Sequence, residues 1–255
     1  MKKIAVITGA SSGMGRDFAL QIEKKEAFDE IWVIARSKDK LEALREVMKT
    51  PLKIISLDLS KEESINEYKR LLEEEKPLVS LLANISGFGK FGKTTDFPLS
   101  EYMNMIDLNI KAVTGITYNT LPFMKRGSKI LELDSISAFQ PVPYINVYAA
   151  TKAYVLSFTR ALGEELKNDG IRVMAVCPYW VKTAFFERAT DENCPIKYFN
   201  VMYNSADVIK TAIYDLYHTK KDISIHGKYA RFQRILVKFL PHRLVMKIWR
   251  KQQKI

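Results

Sequence analysis

Tyr148 and Lys152 stand four residues apart in the run Val-Tyr-Ala-Ala-Thr-Lys. On a helix, two side chains at that spacing share one face. An ammonium held beside a phenol favours the phenolate, so the pair predicts a tyrosine whose pKa falls from about 10 toward neutrality. Such a group can move protons at cellular pH. The spacing occurs twice, since Tyr217 and Lys221 repeat it. Only the first pair has a serine, Ser135, at the end of an apolar run upstream. The corresponding position before Tyr217 is Asn204.

A second cluster lies near the start. Residues 3–8 form an apolar run, Gly9-Ala10-Ser11-Ser12-Gly13-Met14-Gly15 follows, and residues 16–25 carry helical periodicity. Strand, glycine turn and helix in that order form a phosphate cradle. Glycines admit a pyrophosphate close to the backbone, and the helix start supplies amides and dipole. The spacing G-x-x-x-G-x-G departs from the usual G-x-G-x-x-G fingerprint. Gly9–Gly13 also fits the G-x-S-x-G elbow of serine hydrolases. That reading is the remote alternative, because the turn follows the first strand and neither an oxyanion loop nor an Asp/His pair accompanies it. Twenty residues after Gly15, where a carboxylate would bind a ribose 2′-hydroxyl, stand Ala35 and Arg36. A cation without a carboxylate suits a 2′-phosphate, so NADP(H) is the expected cofactor.

The elements that must position these groups follow in regular alternation. Strands are expected at 30–35, 52–57, 78–83, 129–133 and 171–177, with helices at 39–48, 61–75, 97–125 and 147–167 between them. A short strand at 222–225 follows a helix at 205–217. This predicts an α/β fold, a Rossmann-like doubly wound parallel sheet of about seven strands with helices on both faces. In such a sheet, ligands bind at the carboxyl ends of the strands.

Composition narrows the class. The 255 residues are 47% apolar, enough for one full core, and no apolar run approaches the ~20 residues that span a bilayer. The two cysteines make no disulfide framework, which points to a reducing, cytoplasmic setting. His218, His226 and His242 lack neighbouring ligands, so no metal site is expected. The formal charge of +11 is uneven: residues 228–255 hold nine Lys/Arg and no acid, leaving about +2 for residues 1–227.

Together these pieces resemble the short-chain dehydrogenase/reductase family over residues 1–227. They are Thr8–Gly15, the Asp58 turn, Asn84-Ile85-Ser86-Gly87, Asn109, Ser135, Tyr148…Lys152 and the run from Cys177 to Thr183. The resemblance implies an NADP(H)-dependent oxidoreductase interconverting a carbonyl and a secondary alcohol by hydride transfer. By position, Tyr148 would be the general acid/base and Ser135 would hydrogen-bond the substrate carbonyl. Lys152 would hold the nicotinamide ribose, and Asn109 would support a proton-relaying water. Gly9, Ser11, Ser12, Gly13, Met14 and Gly15 would line the pyrophosphate and ribose. Asp58 and Leu59 would bracket the adenine. Asn84, Ser86 and Gly87 would meet its ribose, and Pro178, Val181 and Thr183 the carboxamide. Most relatives are dimers or tetramers, and a homo-oligomer is expected. A binding or regulatory protein that keeps the fold without turnover is the other alternative, opposed by the intact Ser135, Tyr148 and Lys152.

Departures from the family pattern are informative. Asp134 stands beside the expected catalytic serine, where a second serine is common, and the pattern does not explain it. Tyr179 replaces a common glycine near the nicotinamide end, where strand-edge packing explains it equally well. The mobile substrate loop, about 184–205, is aromatic here, with Phe185, Phe186, Tyr198, Phe199 and Tyr203. With Phe88, Phe91, Phe139, Pro141, Tyr144 and Tyr179 these could wall a pocket for a hydrophobic substrate, steroid-like or acyl. Residues 228–255 read as two amphipathic basic helices divided by Pro241. Their apolar stripes could dock on the body or a second subunit, or contact an anionic membrane from its periphery. No groove-reading motif accompanies the charge, so nucleic acid is not an expected partner.

Overall fold

The computed structural model describes residues 1–190 and 194–255; residues 191–193, within the segment read as the substrate loop, lie outside the described residues. Among the described residues, seven parallel strands form one sheet. They are β1 (Lys3–Thr8), β2 (Glu30–Ala35), β3 (Leu52–Ser56), β4 (Leu78–Asn84), β5 (Lys129–Leu133), β6 (Arg172–Val176) and, out of sequence, β9 (Ile223–Ser224). Their spatial order is β3-β2-β1-β4-β5-β6-β9. The order reverses between β1 and β4, which is where a doubly wound sheet opens a crevice for ligands.

Alternation along β1 divides the core. Ala5 and Ile7 pack under α1 (Gly13–Ile22), α2 (Lys38–Arg45) and α8 (Ser205–His218). Ile4 and Val6 face the other way, toward α3 (Glu62–Glu75), α5 (Val113–Thr120) and α6 (Asn146–Glu165). Ile4, Ile7, Ile31 and Ile34 are wholly buried, and each such burial is worth about 1.5–3 kcal/mol against ~0–1 for a surface ion pair. The apolar layers therefore hold the strand ends in register beneath the cleft.

The helix expected across 97–125 is one rod of changing pitch. It comprises α4 (Leu99–Ile106), a π turn (Asp107–Ala112), α5 and a 3-10 turn (Leu121–Phe123) that contains Pro122. Past β6 the chain adds features without a sequence signal. β7 (Trp180–Lys182) pairs in parallel with β8 (Met202–Asn204), and α7 (Phe185–Ala189) lies between them. The extension forms α9 (Lys228–Phe239) and α10 (His242–Gln253), with Pro241 between them. No helix among the described residues is long and apolar enough to cross a membrane.

Candidate active site

A cleft of about 690 Å³ runs along the carboxyl ends of the strands. At one end the glycine turn passes beneath it. Gly9 has φ +71°, and a Cβ there would fall 2.9 Å from the Ser86 amide nitrogen. A Cβ on Gly15 would lie 2.1 Å from the Gly9 carbonyl oxygen, so the turn and α1 can close this tightly only with glycine at both places. Ser12 precedes α1 in extended conformation and makes no side-chain cap. The first amides of α1 are thus left for an anion, as a diphosphate requires. Thr8 closes the switch point: its hydroxyl accepts from the Ile85 and Ser86 amides at 3.0 and 3.1 Å.

Cations gather beside this turn. Arg36 and Lys40 line the cleft, and so does Arg188 of α7, whose guanidinium lies 3.4 Å from the centroid of the Phe88 ring. Burial, then repulsion by Arg36, lowers the pKa of Arg188. Burial opposes ionisation of Asp58, yet hydrogen bonds from Ser60 and the Arg36 charge leave its carboxyl below the ordinary range. This donor set fits a dinucleotide with an additional phosphate on its adenosine ribose: glycine cradle, helix start, and three cations around Asp58 and Leu59. Arg188, Lys40 and Ser37 escaped the sequence reading. Ser37 and Lys40 follow the predicted Arg36 closely, whereas Arg188 reaches the cleft from α7, a helix without a sequence signal.

At the other end stand Ser135, Tyr148 and Lys152. Ser135 follows β5, and its hydroxyl accepts from the Ser137 amide at 3.2 Å, capping the 3-10 turn Ile136–Phe139. Tyr148 and Lys152 project from the first turns of α6, and all three residues line the cleft. The Ser135 hydroxyl beside the Tyr148 phenol favours its ionised form, but less than burial opposes it. Lys152 donates to the Leu133 carbonyl at 2.6 Å, and its ammonium lies 5.8 Å from the Tyr148 ring centroid. The expected depression of the phenol is not found. Burial pushes Tyr148 above the ordinary phenol range, and the Asp134 charge acts in the same direction. The ammonium is bonded to Leu133, and its charge acts on two buried acids rather than on the phenol.

Those acids are Glu132 and Asp134. Glu132 is fully buried and accepts from Asn84 at 3.0 Å and Thr117 at 2.9 Å. Burial pushes its pKa up to about 8. Asp134 is buried too, with the Cys177 thiol donating to it at 3.7 Å. Burial raises it well above the carboxylate range, and Lys152 opposes the shift. Lys152 in turn is lowered by burial and supported by both carboxyls. Asp134 thus faces the cleft, beside Lys152.

Three predicted residues are turned elsewhere. The Asn84 amide donates to Thr117 and Glu132, across the β4–β5 pair, rather than into the cleft. Asn109 sits in the π turn with both amide protons committed, to the Phe88 carbonyl at 2.9 Å and Thr151 at 3.0 Å, while its oxygen accepts the Phe88 amide. Its side chain therefore has no donor left for a water and instead holds the Gly87-Phe88 loop against α6. Tyr144, at φ +67°, packs behind the cleft, its carbonyl accepting from Gly92. The other predicted cofactor residues line the cleft: Gly9, Ser11, Ser12, Gly13, Met14, Gly15, Arg36, Asp58, Leu59, Ser86, Gly87, Pro178, Val181 and Thr183. Tyr217 and Lys221, the second spacing match, are tied to Glu26 and to the buried Asp215 and do not line the cleft.

Aromatic rings close the Tyr148 end of the cleft. Phe185 lies 5.6 Å from Tyr148 between ring centroids, and Phe91 6.2 Å from it. Phe88, Tyr179, Trp180 and Phe186 also line the cleft, and Phe199 backs Trp180 at 5.0 Å. Phe139 instead lies 5.4 Å from Arg234, Tyr203 packs on His226, and Tyr198 is exposed. The hydrolase alternative lacks its parts, since no histidine lines the cleft among the described residues.

The profile of the short chain dehydrogenase family matches residues 3–193. The chain belongs to that family. An uncharacterized oxidoreductase of Staphylococcus epidermidis is 31% identical over 188 residues, 73% of this chain and 81% of the relative. A short-chain dehydrogenase from Sphingobium yanoikuyae in complex with NADPH superposes with TM-score 0.78 at 23% identity, covering 94% of this chain and 96% of that one. A 7β-hydroxysteroid dehydrogenase does so with TM-score 0.80 at 16% identity, covering 97% and 96%. At those identities the likeness is one of fold. The short-chain dehydrogenase fold accounts for the parallel sheet, and the family makes this chain an oxidoreductase.

Proposed function

We propose that this short-chain dehydrogenase uses NADP(H) to interconvert a ketone and a secondary alcohol on a bulky apolar substrate. The observation that carries the reading is the convergence of Ser135, Tyr148 and Lys152 on one cleft with the glycine cradle and the Arg36, Lys40 and Arg188 cations. The nicotinamide, when bound, supplies or accepts the hydride. Hydride addition puts negative charge on the carbonyl oxygen, which needs donors already in place. The Ser135 hydroxyl hydrogen-bonds that oxygen. The Tyr148 phenol gives it a proton, and a phenol held above its ordinary range keeps that proton available at neutral pH. Lys152 would hold the nicotinamide ribose, and the Gly9–Gly15 turn the diphosphate.

The cofactor preference rests on charge. Arg36, Lys40 and Arg188 outnumber Asp58, the carboxylate at that end of the cleft, and this balance favours a 2′-phosphate. The substrate class rests on the rings of Phe88, Phe91, Tyr179, Trp180, Phe185 and Phe186, which offer little to a polar molecule. The 7β-hydroxysteroid dehydrogenase of the same fold gives the steroid class a place in the screen. Leu99, Met103, Tyr118 and Tyr154 remain exposed on α4–α6 and fit contact with a second copy, as in the expected homo-oligomer.

The test is NADPH absorbance across a panel of bulky ketones, steroids and bile acids. Tyr148→Phe should lower turnover about a hundredfold or more while NADPH binding persists. Unchanged turnover would remove Tyr148 from the acid's role.

A further inference from the structure

The extension uses its two faces differently. The inner face docks on the body. Trp249 of α10 donates to the Pro143 carbonyl at 3.0 Å and lies 6.3 Å from Trp180. The buried Gln253 accepts from the Lys197 and Tyr198 amides and donates to the Tyr198 carbonyl. From α9, Ala230 and Val237 are buried, and the Arg231 guanidinium donates to the Ile225 carbonyl at 2.9 Å. These contacts fix how both helices are turned.

The outer face is therefore an exposed apolar stripe. Phe232, Ile235, Leu236 and Phe239 follow one another at helical spacing on α9, and Leu244 and Ile248 on α10. Phe232 is 63% exposed and Phe239 77%, although a phenyl ring is ordinarily driven inward. Of the nine Lys/Arg in residues 228–255, Arg231 and Arg234 turn to the body. Among the described residues, none of the other seven meets a carboxylate.

We propose that the outer face of α9 and α10 docks on an anionic lipid bilayer, lying in its interface. Phenylalanine and leucine side chains enter the acyl boundary, while the surrounding lysines and arginines meet anionic headgroups. Docking on the body and contact with a bilayer are not alternatives here, because they use opposite faces of the same two helices. A second copy of the chain fits less well: a symmetric contact would press one acid-free cationic surface against another. Duplex nucleic acid would draw the cations but leave the phenylalanines without a partner. Docking of this kind does not depend on the reaction catalysed in the cleft.

The experiment is co-sedimentation of the full chain with vesicles of phosphatidylcholine alone, or with phosphatidylglycerol in equal part. Partitioning onto the anionic vesicles should exceed that onto neutral ones by about tenfold or more and weaken with added salt. The double variant Phe232→Ser/Phe239→Ser should lose about tenfold in partitioning while keeping its melting temperature, since both rings are solvent-facing. If that variant melts early, Arg243→Gln/Lys247→Gln carries the same test through charge. No sedimentation with anionic vesicles would overturn the proposal, as would equal sedimentation of both variants and the parent. Self-association in analytical ultracentrifugation that both variants abolish, without vesicle binding, would assign the face to a second copy instead. Binding to a DNA duplex that exceeds vesicle binding would assign it to nucleic acid.

Discussion

The Lys152 ammonium donates to the Leu133 carbonyl at 2.6 Å, tying the helix that carries Tyr148 to the strand end that carries Ser135. Leu133 stands between Glu132 and Asp134, so the same contact draws the cation over two buried carboxyls. The lysine is held up by its strand and by these acids, and the phenol beside it is left to burial.

The first consequence is spectroscopic. Tyrosinate absorbance of the unliganded chain, taken as wild type minus Tyr148→Phe, should show no ionisation of Tyr148 up to the ordinary phenol range of about 10. Burial raises its pKa, and a raised phenol keeps its proton as pH climbs. A step near neutrality would mean that Lys152 depresses the phenol after all.

Glu132 links stability to pH. Its pKa rises from 4.5 to about 8 on folding. The folded state then binds more protons than the unfolded one between those values, so stability falls as pH rises through the window and levels off above it. The full effect is a few kcal/mol. Glu132→Gln keeps the shape and an acceptor for Thr117 or Asn84 without the charge. In thermal melts the variant should lose this slope and gain on the parent most at pH 8 and above. A Glu132→Gln variant whose melting temperature follows the parent's in parallel across the window would exclude the shift.

Arg36→Asp should weaken NADPH binding by at least the ~1.5–3 kcal/mol of a charged hydrogen bond, which is tenfold or more, and narrow the gap to NADH. Arg188→Gln should act in the same direction, because its guanidinium repels Arg36 across the same end of the cleft. Titration by protein fluorescence reads both. Equal NADPH and NADH affinities in the parent would remove the argument from charge.

Trp249→Ala should loosen the substrate wall from behind, since the indole contacts Trp180 and Pro143. Half-buried as it is, its removal should cost about 1–3 kcal/mol of stability. The Michaelis constant for a bulky ketone should rise more than turnover falls. A loss confined to turnover would place the effect on the proton-handling groups instead.

Several elements of the fold and site are plain in the sequence because they are local. The Gly9–Gly15 turn, the Tyr148/Lys152 pair and Ser135 at a strand end depend on backbone geometry over a few residues, and spacing reports that geometry directly. The alternation of strand and helix likewise dictates a doubly wound sheet, and with it the crevice at the switch point. The directions of Asn84 and Asn109 are another matter. One amide is claimed by Glu132 through the β4–β5 register and the other by the Phe88 backbone across a π turn, and no local spacing encodes either. Arg188 joins Arg36, and Trp249 reaches Trp180, only through a chain path that includes the unforeseen β7, α7 and β8. Only the tertiary structure decided the protonation balance around Lys152. Two acids adjacent to Leu133 act on a lysine far along the chain because all three are buried together, and burial is a property of the whole fold.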